Sequence, residues 1–288
     1  MRDRSLLMGS VRVSMRLVAL DLDGTLLRSD GTVSQRTLDT LRAVDARGAD
    51  VVLVTQRPIR MVRPLAEAFG FGGVAICSNG AITVDVNTSK IVRHVPLGVG
   101  SASRFVAELR RMAPGVTFAL ERAAFFAEED AFREQILRYY PKYPFKAALH
   151  EDILSFCEEP CTALLALHER TRAADLLLLA QACTYGELAV THSGGPFIEV
   201  TARAGSKGRA LADLAEARGF GAAEVIAFGD MPNDLPMLRW AGHSVAMANA
   251  HPEVLRSAHE VTLTNDEDGV ALVLERLLKL DVFGVDSG

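Results

Sequence analysis

A short apolar run that ends in two acids limits the fold of this chain more than any other segment. Leu17-Val18-Ala19-Leu20 is followed by Asp21 and Asp23, and then at once by a glycine and a threonine. The run is too short for a globular helix and is bounded by a turn signal, which predicts a buried strand. Ligands of open α/β folds bind outside the carboxyl ends of such strands, where two acids are costly unless a cation or a substrate group needs them. For this motif alone, the alternative is a turn with solvated acids.

Strand-like and helical patterns alternate in the first part of the chain. The order is a strand at 17–20, a helix at 34–47, a strand at 51–54, a helix from Pro58 to about Phe69 and a strand at 74–77. This order predicts a parallel sheet with right-handed crossovers, and Ser34 is the expected cap of the first helix. After Phe197 the alternation returns, with helices at 205–218, 235–241 and 269–280 and strands at 225–228 and 244–247. We expect the last helix to pack back on the first domain.

A segment with a different pattern of predicted helices and strands separates these two halves. Between about 86 and 190, helical patterns mix with short strand candidates such as 162–167, and a chain of 288 residues exceeds one typical domain. We therefore predict an α/β fold with a Rossmann-like, doubly wound parallel sheet core at 16–85 and 191–288, and an inserted α+β domain at 86–190. Residues 1–15 are predicted to be a disordered extension, unless translation begins at Met8 or Met15.

Composition excludes several classes of function. The net charge of −5 leaves no basic footprint for nucleic acid or for an anionic membrane, and no window is apolar enough to span a bilayer. The first residues lack the continuous apolar core of a signal peptide. The four cysteines are scattered, and Cys157 and Cys161 lack the CxxC spacing of a zinc site. We expect a cytoplasmic protein with reduced thiols; the sequence does not indicate its oligomeric state.

A second acidic loop follows another short apolar run. Residues 225–228 are apolar, and the loop at 229–234 reads GDMPND, which contains Asp230, Asn233 and Asp234. If the two strands are neighbours, their acids converge with Asp21 and Asp23, and mutual repulsion destabilises such a cluster. A divalent cation removes that cost. Ligation by carboxylates and water is the preference of Mg²⁺, which usually engages a substrate phosphate as well.

Two further residues suit a phosphate group. Thr55 ends the strand at 51–54 just before a helix N-terminus, where backbone N–H groups favour an anion. Lys207 lies at the start of another helix and would supply a compact cation. Taken alone, a residue such as Thr55 is more often a structural cap, and one such as Lys207 is more often a solvated surface lysine. Their combination with the acids points to phosphoryl transfer.

The acids suggest a two-step reaction. A carboxylate such as Asp21 can attack phosphorus in line and form an aspartyl-phosphate. Asp23 can protonate the leaving alkoxide and later deprotonate the attacking water. Mg²⁺, Lys207 and Thr55 would neutralise and orient the remaining phosphoryl oxygens. Truncation of Asp21 is therefore expected to abolish activity.

From about Arg16 to Lys279 the sequence resembles the haloacid dehalogenase superfamily, in particular the Cof-type phosphatases with a type-IIB cap. The resemblance rests on DLDGTLL at 21–27, Thr55, GSKG at 205–208 and GDMPND at 229–234, with support from SNGA at 78–81, AMANA at 246–250 and NDEDGVA at 265–271. The first and fourth of these motifs are together highly specific for that superfamily.

The resemblance implies a role for each matching residue. Asp21 would be the nucleophile and Asp23 the general acid/base. Mg²⁺ would be held by the Asp21 carboxylate, the Asp23 backbone carbonyl and Asp230. The phosphoryl group would be bound by Thr55 and Lys207, while Asn233 and Asp234 would orient the metal shell or touch the phosphate. The inserted domain would be a cap that selects the leaving group.

Two positions depart from the family pattern. Gln56 stands where the family usually has glycine, and Ala248 also replaces a glycine, in a loop outside the chemistry. If position 56 needs a positive φ, glutamine is strained there. One alternative is that the Gln56 backbone N–H still faces the phosphate while its side chain points away. The other is that the side chain narrows the pocket or binds the substrate.

The resemblance implies a Mg²⁺-dependent phosphatase for small phosphorylated metabolites, such as sugar phosphates. A phosphomutase or phosphotransferase is the alternative within the enzymes, because an aspartyl-phosphate can pass to a sugar hydroxyl instead of water. A non-catalytic metabolite-binding regulator is the alternative outside them, although every charged catalytic position is present.

Overall fold

The computed structural model of the chain describes residues 14–123, 125–141, 147–150 and 152–283. The extension predicted at 1–15 therefore lies, apart from Ser14 and Met15, outside the described residues. Met15 is buried and forms an isolated β-bridge with Phe283.

Strands and helices alternate through most of the described residues. The strands are β1 (Leu17–Leu20), β2 (Asp50–Val54), β3 (Val74–Cys77), β4 (Ile82–Asp85), β5 (Ile91–His94), β6 (Val116–Arg122), β7 (Phe125–Glu129), β8 (Ala148–His150), β9 (Ala163–His168), β10 (Leu188–Thr191), β11 (Phe197–Ala202), β12 (Val225–Gly229), β13 (His243–Ala246) and β14 (Glu260–Val261). The helices are α1 (Gln35–Asp45), α2 (Ile59–Phe69), α3 (Val99–Met112), α4 (Asp130–Tyr139), α5 (Ala173–Gln181), α6 (Lys207–Ala217), α7 (Leu235–Trp240), α8 (Pro252–Ser257) and α9 (Gly269–Lys279).

The larger sheet has eight strands in the order β14-β13-β12-β1-β2-β3-β4-β5. β1 pairs in parallel with both β2 and β12, and β12 pairs in parallel with β13, whereas β4 and β5 form an antiparallel pair. The predicted parallel sheet is confirmed. Because β1 and β12 are parallel neighbours, the loops that follow them leave the sheet at the same edge.

Local sequence explains how α1 is placed. The Ser34 side chain accepts a hydrogen bond from the Thr37 amide at 3.1 Å and caps the helix as predicted. Leu41 and Val44 lie on its buried face. The last helix, α9, packs against α1, as expected for a helix that returns to the first domain. None of the described helices is long and apolar enough to cross a membrane.

Contacts divide the chain into two compact units. The first unit comprises the described residues of Met1–Thr55, Ala66–Ala75 and Gly208–Gly288, and the second comprises those of Gln56–Leu65 and Ile76–Lys207. The domain boundaries expected from sequence texture differ from this contact-based division and stay a prediction.

The second unit contains a sheet of six strands in the order β10-β11-β9-β6-β7-β8, antiparallel except for the β7–β8 pair. One face is apolar and packs with α3 and α5, through residues such as Phe105, Phe118, Leu164 and Leu176. This is the predicted inserted α+β domain, and the fold class is confirmed.

The opposite face of that sheet is partly apolar and partly acidic. Phe132 of α4 packs there with Ala119. Ala119 is paired with Glu128, and side chains two residues apart on a strand share a face, so Glu121 and Glu128 lie on this face as well. Ala119 also pairs with Leu165, and Leu165 pairs with Glu199, so Glu199 lies on this face too. Glu121, Glu128 and Glu199 are all buried.

Candidate active site

Three buried aspartates gather in the first unit. Asp21, Asp230 and Asp234 each offer a carboxylate oxygen, and these oxygens all lie within 4.8 Å of one another. The parallel register explains two of them, because Leu20 pairs with Phe228 and the Asp21 amide donates to the Phe228 carbonyl at 3.2 Å. The predicted convergence of the strand-end acids is therefore present for these three. Within the described part of the chain, this is the one cluster of acidic, histidine and cysteine side chains with metal-ligand spacing.

Residues of the loop after β1 hold Asp230 in place. Gly24 has a φ of 77°, and a Cβ atom there would lie 2.4 Å from Asp230 Oδ2. Only glycine allows this approach. Thr25 Oγ1 donates a buried hydrogen bond to Asp230 Oδ1 at 2.9 Å. The sequence analysis assigned no role to Thr25. The signal that could have indicated one is its position directly after the two acids and the glycine.

Asp234 belongs to the cluster and also organises its own loop. Its Oδ2 accepts hydrogen bonds from the backbone amides of Asp230 at 3.0 Å and Met231 at 2.9 Å. A Cβ atom on Gly229 would lie 2.6 Å from the Asp234 Cβ, so the backbone passes very close to this side chain. Asn233 is buried beside it on a short 3₁₀ helix. Asp234 thus takes part in the cluster and also supports its own loop, and the role predicted for it stays a prediction.

Asp23 differs from Asp21 in its surroundings. Asp21 is 5% exposed, whereas Asp23 is only half-buried and lies outside the three-carboxylate group. After Asp23 the chain turns back on itself, and the amides of Leu26 and Leu27 donate to the carbonyls of Asp21 and Leu22. A partly solvated acid beside a buried one suits an exchange of protons with substrate or water.

Two asparagine side chains hold the loop after β1 by hydrogen bonds to its backbone carbonyls. Asn249 Nδ2 donates to the Gly24 carbonyl at 2.8 Å, and Asn265 Nδ2 donates to the Leu27 carbonyl at 2.9 Å. The Asn265 amide in turn donates to Asn249 Oδ1 at 3.1 Å. These contacts give a physical role to the motifs at 246–250 and 265–271, which sequence reasoning used only as marks of resemblance.

The predicted phosphate-binding residues fall in both units. Thr55 follows β2 in the first unit and is fully buried. Lys207 begins α6, belongs to the second unit and is 1% exposed, which excludes a solvated surface lysine. Gln56 is half-buried and is not among the residues with positive φ, so glutamine is unstrained there. Ala248 likewise has no positive φ. The joint action of these residues on phosphate stays a prediction.

Cys77, Cys157, Cys161 and Cys183 are buried free thiols. Burial raises the pKa of Cys157 to about 11 and that of Cys161 to about 12, so both are protonated at neutral pH.

Comparison with known proteins identifies the family. The model of the haloacid dehalogenase-like hydrolases matches residues 18–274. The chain belongs to this family. It is similar to the phosphatase YwpJ of Bacillus subtilis (strain 168), with 30% identity over 286 residues that cover 92% of this chain and all of the relative. It is also 30% identical to the 5-amino-6-(5-phospho-D-ribitylamino)uracil phosphatase YcsE of the same strain, over 90% of this chain and 94% of the relative.

A solved structure supports the two-domain fold. The subclass IIB sugar phosphatase BT4131 aligns with a TM-score of 0.79 over 93% of this chain and 100% of that structure, at 19% identity. At that identity the likeness shows the fold alone, and it includes the inserted cap. The predicted resemblance to capped phosphatases of this superfamily is confirmed, and the chain is a phosphatase.

Proposed function

We propose that this phosphatase is Mg²⁺-dependent and hydrolyses small phosphorylated metabolites, sugar phosphates or similar compounds, through an aspartyl-phosphate on Asp21. The observation that carries the proposal is the buried group of Asp21, Asp230 and Asp234 at the carboxyl ends of two neighbouring parallel strands. Ligands of open α/β sheets bind at this edge.

The donor set of this group fits Mg²⁺. All three side chains offer oxygen, and the group contains neither nitrogen nor sulfur. Three carboxylates so close together repel one another, which a divalent cation would offset. Asp21 and Asp230 would hold the ion with the Asp23 backbone carbonyl, and Asp234 would support them. Bound there, Mg²⁺ would neutralise charge on the phosphoryl oxygens.

The two acids of the first motif divide the reaction between them. An Asp21 carboxylate oxygen forms a bond to phosphorus while the bond from phosphorus to the leaving oxygen breaks, and Asp23 gives its proton to that oxygen. Asp23 then takes a proton from the water that attacks phosphorus, and inorganic phosphate and the free Asp21 carboxylate are released. The greater exposure of Asp23 supports this division.

The phosphoryl group itself would be bound by uncharged donors and one cation. The Thr55 hydroxyl and the Lys207 ammonium are buried, so each would act on an anion with little screening by water. Asn233 and Gln56 would add amide donors. The Gln56 side chain would contact the leaving group, and we expect Gln56→Gly to change the substrate profile.

The named relatives support the substrate class. YcsE is named for a substrate whose phosphate is carried by a ribityl chain, and BT4131 is named a sugar phosphatase. Both names describe a phosphate ester on a small polyhydroxylated carbon chain. We propose the same class for this chain.

A phosphate-release screen tests the proposal. The panel comprises sugar phosphates, phosphorylated sugar alcohols, nucleotides and cofactor phosphates, each with and without Mg²⁺. We expect release from one or more phosphorylated polyols, no detectable release by Asp21→Asn, and full release by Asp39→Asn, a matched change of an exposed acid on α1. Release by Asp21→Asn at the wild-type rate, or none by the wild type on the whole panel, would contradict the proposal.

A further inference from the structure

A left-handed turn follows β3 in the second unit. Ser78, Asn79 and Gly80 have φ values of 47°, 54° and 96°. Non-glycine residues rarely adopt such values, and two in succession persist only where surrounding contacts hold them. The side chains supply those contacts. Ser78 Oγ donates to Glu121 at 3.4 Å, and Asn79 Nδ2 donates to Glu199 at 2.7 Å.

The backbone of this turn lies directly against the residues that precede Lys207. A Cβ atom on Gly80 would lie 2.4 Å from the Ser206 carbonyl oxygen and 2.5 Å from that of Gly205. A Cβ atom on Gly205 would meet the Ala81 Cα at 3.3 Å. The two backbones therefore fit together only with glycine at position 80, and a side chain there would displace the start of α6.

Arg93 of β5 ties the same two segments together. Its Nη1 donates to the Gly80 carbonyl at 3.0 Å and its Nη2 donates to the Ala204 carbonyl at 3.1 Å. A planar guanidinium can bind two carbonyls at once in a fixed geometry, which the single ammonium of a lysine cannot reproduce.

We propose that Arg93 and Gly80 are positioning residues that fix the loop before Lys207 and so place its ammonium for phosphate binding. The inference rests on the proposed function, because it takes Lys207 as a ligand of the phosphoryl group. Neither Arg93 nor Gly80 is expected to touch the substrate. Both act through the backbone at 204–206, and a displacement of about 1 Å can cost about 10²-fold in rate.

The test is a double-mutant cycle measured by hydrolysis of a fluorogenic aryl phosphate with saturating Mg²⁺, at high enzyme concentration for the slow variants. We expect Arg93→Ala to lower kcat/KM about 10-fold and to weaken inhibition by inorganic phosphate by a similar factor. Gly80→Ala is expected to cost about 100-fold, and Arg93→Lys less than Arg93→Ala. In a Lys207→Ala background, Arg93→Ala should have almost no further effect.

Matched controls separate positioning from a general loss of structure. Arg111→Ala removes an exposed arginine of α3, and Gly100→Ala adds a methyl group where nothing lies within 4 Å, so both should retain wild-type kinetics. The concentration of Mg²⁺ that half-activates the enzyme should be the same in Arg93→Ala and in the wild type.

The cycle also distinguishes two kinds of failure. If Lys207→Ala hydrolyses the substrate at the wild-type rate, the proposed role of Lys207 is wrong and this inference falls with it. If Lys207→Ala is impaired but Arg93→Ala is not, or if the effects of the two changes multiply in full, only the positioning inference is overturned.

Discussion

Two groups of buried carboxylates in the molecule are arranged in different ways. In the first unit, Asp21, Asp230 and Asp234 lie with their oxygens within 4.8 Å of one another. In the second unit, Glu121, Glu128 and Glu199 are spread along one face of the six-stranded sheet. That face belongs to the six-stranded sheet and not to the parallel sheet that carries Asp21.

The partners of the two sets differ in kind. Arg60 donates to Glu121 at 3.0 Å, Arg133 forms an ion pair with Glu128, and the Asn79 amide donates to Glu199. Glu121 and Glu128 thus each face a guanidinium, and Glu199 accepts a hydrogen bond from a neutral amide, so each buried glutamate has a polar partner of its own.

Among the aspartates, Asp230 accepts a hydrogen bond from the Thr25 hydroxyl, and Asp234 accepts two from the backbone amides of residues 230 and 231. Their oxygens also gather at the spacing of a cation site, which the glutamates do not. The comparison therefore sets acids spread along a sheet face beside acids clustered at the ends of two parallel strands.

The largest effect is expected when the aspartate cluster loses one charge. Asp230→Asn keeps the shape of the side chain but weakens the cation site, and we expect activity to fall by about 10³-fold or more. Removal of divalent metal with EDTA should abolish wild-type activity, and added Mg²⁺ should restore it. The measurement is phosphate release against Mg²⁺ concentration, with Asp39→Asn as the control. Full activity in EDTA would show that the aspartate cluster does not act through a bound divalent cation.

Arg60→Ala tests the other side of the comparison. It leaves Glu121 buried without its ion-pair partner, which should lower the free energy of unfolding by about 3 kcal/mol. Urea unfolding measures this, and Arg63→Ala is the control, since it removes an exposed arginine of the same helix.

Glu121→Gln in the Arg60→Ala background should recover most of the lost stability, because a neutral amide costs less to bury than a lone carboxylate. Equal losses from Arg60→Ala and Arg63→Ala would show that Glu121 is not compensated by Arg60.

The aspartate site could be predicted from the sequence because its pieces are local. Leu17–Leu20 and Val225–Gly229 are short apolar runs that end in acids, and parallel pairing of two such strands brings their ends together without further information. The cap of α1 by Ser34 is equally local, since donor and acceptor lie three residues apart.

The glutamate face could not be predicted in the same way. Glu121 meets Arg60 of α2 across 61 residues of chain, and Glu199 meets Asn79 of the turn after β3 across 120. No local pattern pairs a strand residue with a helix or turn residue so far away in sequence. Sequence patterns indicated the strand at 162–167 but not its neighbours in the sheet. The role of Thr25 was missed for a related reason, because its partner Asp230 lies 205 residues away.

Thr25→Val tests a single hydrogen bond of the aspartate cluster, the one from Thr25 to Asp230. Loss of the neutral donor to Asp230 should cost about 1–2 kcal/mol, which corresponds to about a 10-fold fall in kcat/KM and a higher Mg²⁺ requirement. Thr25→Ser keeps the hydroxyl and serves as the control. Identical Mg²⁺ titrations for the valine and serine variants would show that Asp230 is oriented by other contacts.

The smallest effect, on the order of 1 kcal/mol, concerns the pH dependence of stability and compares one glutamate from each unit. Burial raises the pKa of Glu121 in spite of Arg60, whereas hydrogen bonds from His243 and Arg276 hold the pKa of Glu260 below its usual range. The stability contributed by Glu121 is full below the ordinary carboxyl pKa of about 4.3 and is lost as pH rises through its folded-state pKa. That of Glu260 is full above the ordinary value and is lost as pH falls through its folded-state pKa.

Urea unfolding between about pH 4 and pH 7 should therefore give opposite trends for two matched variants. The stability of Glu121→Gln relative to the wild type should rise with pH, because the amide imitates the protonated acid that burial favours. That of Glu260→Gln should fall with pH, because the amide forgoes an ionised contact with Arg276. Equal trends would mean that Arg60 compensates the charge of Glu121 as fully as Arg276 compensates that of Glu260. The ion pair of Glu121 with Arg60 would then stabilise the folded state.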